Sequence, residues 1–121
     1  MIATPVETLK NFKFRVEIPG FPAHVIQSIN LDLRNYIIEV DYLVTKDSAL
    51  FFWNWFKKDE NTVLTVKIFD ILGSEPVRCW VLHNCTIDGV RNQEIRDALD
   101  AEGIVQETAT MLFSSYDVEA L

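Results

Sequence analysis

Cys79, His83 and Cys85 fall on one face of a segment that reads as a single strand, and two thiols with an imidazole are the donor types of a zinc site. Extended chain strings such side chains out. Six residues at about 3.3 Å each put the cysteines roughly 20 Å apart, too far for one tetrahedral ion and beyond the ~7 Å Cα separation that a disulfide tolerates. Two buried thiols behaving as small apolar residues are expected instead. Glu39 with Asp41 on a strand face, and Glu94 with Asp97 on a helix face, have the types for acid–base work. Nothing apolar brackets either pair, so both read as solvated surface. His24 lies far from His83 in sequence, and four glycines supply no phosphate-cradling loop. Asn84-Cys85-Thr86 matches the glycosylation sequon, but no secretion signal precedes it. No nucleophile–base pair can be assembled, so the chain is read as no enzyme, with no metal and no cofactor.

The stronger signal is physical. Five of the six residues from Phe51 to Phe56 are aromatic, with Asn54 the one interruption. Asp47 as N-cap and Lys57 and Lys58 at the far end frame the run as a short helix. Its apolar groups do not keep to one stripe: Leu50 and Trp53 face one way, Phe51 and Trp55 another, Phe52 and Phe56 a third. Such a helix needs cover on more than one side, either as a plug in the end of a barrel or by contact with a second subunit.

At 121 residues and 49% hydrophobic the chain suits one globular domain with one core. Net charge is −7 and unevenly spread: from Asp88 onward eight acids face only Arg91 and Arg96. A sequence-reading nucleic-acid binder needs a basic footprint, and none is present. No stretch is long and apolar enough to span a bilayer, and the reading is of a cytoplasmic product.

Residues 1–10 have no clear period and read as an arm before a single domain over 11–121. Asn11–Ile18 alternates, with Phe12, Phe14, Val16 and Ile18 on one face and Lys13, Arg15 and Glu17 on the other. Val25–Leu33 reads as a short strand with a broken period, Tyr36–Val44 as a clean one with Glu39 and Asp41 outward. Thr62–Ile71 and Val77–Ile87 form a hairpin around Gly73-Ser74-Glu75-Pro76. Both faces of the return strand carry bulk, Val77, Cys79, Val81 and Ile87 against Trp80 and Leu82, so it is central or its outer face meets another subunit. Arg91–Ala101 reads as a second short helix, and Val105–Val118 as the last strand. The fold class is mainly β, a small antiparallel β-barrel or sandwich with one flanking α-helix and room for a second. Phe51, Phe52, Trp55, Phe56, Trp80 and Leu82 are the candidate subunit interface.

Several segments, in order, resemble the phage tail-tube family, which also builds the inner tubes of contractile injection systems. Asn11–Ile18 is similar to its first strand and Ala49–Trp53 to its short helix. Val66-Lys-Ile-Phe-Asp-Ile-Leu-Gly-Ser-Glu-Pro-Val-Arg-Cys-Trp80 with Val81-Leu82-His83-Asn84 resembles its hairpin, and Val105–Phe113 its closing strand. The resemblance implies hexameric rings whose inner strands join into one barrel around a lumen. Rings would stack, with sheath and baseplate proteins as partners, in a virion tail through which DNA passes without specific binding. Lys13, Arg15, Glu17, Glu39 and Asp41 would then be candidate lumen-facing residues, and a net-acidic wall would repel phosphates. The family's insertion toward the next ring is short here, between Pro19 and Asn35, which leaves a baseplate or tail adaptor, or an initiator, as the alternative. A small barrel binding an apolar ligand in its aromatic cluster is the alternative of another class.

Overall fold

The computed structural model describes residues 12–58, 62–93 and 105–121. The expected arm over residues 1–10 and most of the expected second helix lie outside the described residues. Among the described residues, seven antiparallel strands and one helix follow in order: β1 (Phe12–Glu17), a 3-10 turn (Ala23–Val25), β2 (Ile26–Asp32), β3 (Ile37–Leu43), α1 (Phe51–Lys58), β4 (Leu64–Leu72), β5 (Glu75–Gln93), β6 (Gln106–Leu112) and β7 (Ser115–Ala120). The strand path is β1-β4-β5-β6-β3-β2, with β7 on β5. This makes two sheets that share β5. Sheet A runs β1-β4-β5-β7, and sheet B runs β5-β6-β3-β2. The path does not close, because β1 and β2 do not pair.

Alternation builds the core. Val16, Val66, Ile68, Leu82, Ile38, Val40, Tyr42, Ala109 and Met111 all turn inward and are buried. Phe14 shares the inward parity of β1 but is 42% exposed. It sits opposite Asp70, at the end of sheet A that projects past the core.

β5 carries bulk on both faces over Cys79–Leu82, where it lies between β4 and β7, and it changes phase farther along. Leu64 pairs Cys85 while Val66 pairs Leu82, so one extra residue is accommodated near His83–Asn84. Asn84 takes φ 55° there, a left-handed turn that asparagine tolerates. Leu82 and Cys85 are consequently both buried in the core, although they are three apart. Cys79 and Cys85 therefore do not share a face as expected. Cys79 lies on the outer side of sheet A and Cys85 in the core, both as free thiols. A second slip between Ile87 and Gly89 turns Val90 inward opposite Ala109. The strand also runs on through Arg91–Gln93, paired with β6, where the sequence suggested a helix start.

The expected closing strand is two strands along one edge of β5. β6 pairs its residues 86–93 and β7 its residues 78–83. Between them the Ser114 amide donates to the His83 carbonyl at 3.0 Å, and Asn84 Nδ2 donates to Ser114 Oγ at 2.9 Å. The inward phase changes at this break, from Ala109, Met111 and Phe113 to Tyr116 and Val118, in step with the slip of the β5 partner that both strands follow.

α1 begins later than expected, after a turn over residues 46–50. Asp47 is not its cap. The Thr45 amide donates to Ser48 Oγ at 2.8 Å and the Ser48 amide to Thr45 Oγ1 at 3.3 Å, a reciprocal pair of the capping-box kind. Ser48 Oγ also donates to the Leu43 carbonyl at 2.8 Å, which ties the turn to the end of β3. Gly20, at φ 80°, makes the turn after β1, and a Cβ there would meet the Phe51 ring at 3.3 Å.

Candidate assembly surface

Four strand edges lack a neighbouring strand among the described residues. They are the far side of β1, the far side of β7, the far side of β2, and β5 from Thr86 to Gln93, beyond where β4 leaves it at Cys85. Free edges of this length invite pairing with another chain.

α1 is largely satisfied by its own chain. Phe52 and Trp55 are buried, and Phe52 packs against Phe21 and Tyr42 with ring centroids 4.8 and 5.1 Å apart. The Trp55 indole donates to the Thr62 carbonyl at 3.1 Å. Trp53 Nε1 donates to both Glu107 oxygens at 3.2 Å, and Tyr42 OH donates to Glu107 Oε1 at 2.8 Å. Burial and the adjacent Glu107 carboxylate raise the Tyr42 pKa far above its ordinary value, so the phenol stays a donor. The large apolar side chains left in water here are Leu50, in the turn before α1 and 64% exposed, and Phe56 of α1, 43% exposed.

The six candidate interface residues thus divide. Phe52, Trp55 and Leu82 are buried within the chain, while Phe51 and Trp80 are half-buried and Phe56 is exposed. Trp80 Nε1 and Arg78 Nε converge on Asp70 Oδ2 at 2.8 and 2.6 Å, and the Trp80 ring lies 6.2 Å from that of Tyr116. Sequence reasoning did not find Asp70. Its place directly opposite Arg78 across the hairpin was the available signal.

The five candidate lumen-facing residues sit on two different faces. Lys13, Arg15 and Glu17 lie on the outer side of sheet A. Arg15 Nε is 3.4 Å from Glu17, and its guanidinium lies 4.7 Å from the Phe69 ring centroid. Glu39 and Asp41 lie on the outer side of sheet B among Ser28, Thr108 and Thr110. Asp41 accepts from Ser28 Oγ at 2.6 Å and Thr108 Oγ1 at 2.5 Å. Arg91 stands 3.6 Å from Glu39.

The interior is filled by Tyr42, Phe52, Leu82 and Met111. Two open depressions of about 300 and 270 Å³ lie on the surface on either side of Pro19. No helix among the described residues is long and apolar enough to cross a membrane.

No protein-family model matches the chain, and no curated protein matches it. Solved structures do. Hcp1 from Salmonella typhimurium superposes with a TM-score of 0.66 at 11% identity, over 92% of this chain and 86% of that one. A chain of the sheath–tube complex of the extracellular contractile injection system PVC gives 0.62 at 14%, over 90% and 89%. A chain of the PVC sheath/tube terminator gives 0.62 at 14%, over 99% of both chains. The tail-tube resemblance read from the sequence therefore holds at the level of the fold.

Proposed function

We propose that this chain is a structural, non-catalytic subunit of a phage tail tube or related injection-system tube, closing into rings through its strand edges. One observation carries the reading. Sheet B has four antiparallel strands, so its end strands β2 and β5 run in opposite directions. A copy rotated about a ring axis keeps strand direction, and its β5 edge over residues 86–93 then meets β2 as a proper antiparallel neighbour. Repetition closes a barrel with no free edge. Six copies per ring are what the tail-tube resemblance of the sequence implies.

The outer face of sheet B suits the lumen. It presents Ser28, Asn30 and Thr110 around Glu39 and Asp41, with Thr108 buried beside Asp41 and Arg91 the cation beside Glu39. Short hydroxyl and amide side chains with a slight acid excess give passing DNA, or another polyanion, little to hold. Lys13, Arg15 and Glu17 belong to the other sheet and are not proposed for the lumen.

A second position in the same assembly, at the end of a tube, is favoured by the near-complete overlap with the PVC terminator chain and by the short Pro19–Asn35 segment. Negative-stain microscopy of purified protein tests both. Stacked rings support the main tube, single rings or ring pairs support an end piece, and dispersed monomers at high concentration contradict either.

A further inference from the structure

We infer that sheet A is also continued between copies, by β1 of one copy pairing antiparallel with β7 of the next, in one register selected by charge. This rests on the ring reading above and adds to it a second, separately testable interface.

Both strands are six residues long, and each has one edge without a strand partner among the described residues. Sheet A has four antiparallel strands, so β1 and β7 run oppositely, and a rotated copy presents β7 to β1 with the right polarity. The rotation that brings the β5 edge of one copy to β2 of the next also turns β1 of the first copy toward β7 of the second. The free stretch of β5 is the edge that β4 leaves, on the side of β5 where β1 lies, whereas β7, like β6, β3 and β2, lies on its other side. One neighbour can therefore serve both sheets.

The side chains then choose the register. Directly opposed residues of an antiparallel pair share a face, so the outer residues Lys13, Arg15 and Glu17 must meet the outer residues Ser115, Asp117 and Glu119. Full overlap sets Lys13 against Glu119, Arg15 against Asp117, and Glu17 against Ser115. Both cations gain a carboxylate and the lone acid of β1 faces a hydroxyl. Sliding by two residues in one direction puts Glu17 against Asp117, a like-charge pair. Sliding the other way leaves Arg15 against Ser115 and Glu119 without a partner on β1. On the inner side, full overlap joins Phe14, 42% exposed, to Val118, 45% exposed, and lays Tyr116 beside Val16. The copy that supplies β7 thus covers the ring that its own sheet leaves in water. Asp117 has room for this second role. It contacts His83 Nε2 at 2.7 Å, yet its side chain is mostly exposed.

Two experiments on the full chain test the pairing. In the first, Phe14→Cys with Val118→Cys is oxidised mildly. Within one chain these positions stand three strand spacings apart, roughly 14 Å, but across the proposed interface their Cα atoms approach about 4.5–5.5 Å, within disulfide reach. A ladder of covalent oligomers in the double variant, and in neither single variant, is expected. In the second, Lys13→Glu/Arg15→Glu and Asp117→Lys/Glu119→Lys are assembled separately and as an equal mixture. Each alone should self-associate about tenfold more weakly at low salt, and the mixture should recover assembly, because each then supplies the other's complement. Rings that form without the crosslink, or charge variants that assemble like the parent, overturn this interface and leave the ring reading standing. A parent protein that never oligomerises overturns both.

Discussion

Glu107 is the side chain on which the helix and sheet B meet. Its carboxylate accepts from Tyr42 and Trp53 while buried. Glu107→Ala would leave the Tyr42 hydroxyl without its acceptor in the core, at a cost of about 2–3 kcal/mol. Urea unfolding should show that loss, and a change under about 0.5 kcal/mol would contradict the account. Glu119→Ala, on the exposed face of β7, should stay within that smaller range in the monomer. Cys85 supplies a pH prediction. Burial pushes its thiol from 9.0 up to about 11, and the Tyr42 phenol moves in the same direction. Folded values above the ordinary ones mean that the stabilisation is complete below pH 9 and drains away as pH rises toward 11. Unfolding midpoints should be level from pH 7 to 8.5 and fall above 9. A flat profile to pH 11 would contradict this placement of the thiol and phenol.

At the scale of elements, the strands that could be read cleanly were those whose burial alternates without interruption. β3 and β4 were legible because Ile38, Val40, Tyr42 and Val66, Ile68, Asp70 keep one phase from end to end. β5 was legible as a strand but not in its facing, since no local signal announces an extra residue at His83–Asn84; the slip is set by which partner residues reach it. Asn84→Gly should therefore be tolerated. Asn84→Ala should cost about 1–2 kcal/mol for the left-handed backbone, measured by thermal or urea unfolding. The aromatic run was visible as a helix, but its composition overstated what a partner must cover. Phe52 and Trp55 fill the chain's own core. Phe52→Ala should cost about 3–5 kcal/mol of folding stability, whereas Phe56→Ser should cost under about 1 and act on assembly. Equal losses of stability for both would show that α1 sits differently from this description.

For the whole molecule, the sequence was informative about class and neighbourhood and less so about which surface does what. Surplus aromatic content signalled that something remained to be covered. The physical remainder is mostly backbone: four strand edges whose polar groups lack a strand neighbour among the described residues, and backbone edges leave no mark in residue types. The two groups of charged residues once assigned to a single lumen lie on different sheets, because alternation tells inside from outside without telling one outer face from another. Sheet A's outer face carries cations toward β1 and acids toward β7, and sheet B's outer face is mildly acidic and rich in hydroxyls. Together they describe a subunit whose lateral sides complement each other. Native mass spectrometry across a concentration series addresses this most directly. The account predicts one discrete closed oligomer, six copies on the tube reading, that appears cooperatively and loosens as salt is raised. A protein that stays monomeric throughout, or that grows into an open-ended distribution of sizes, would contradict it.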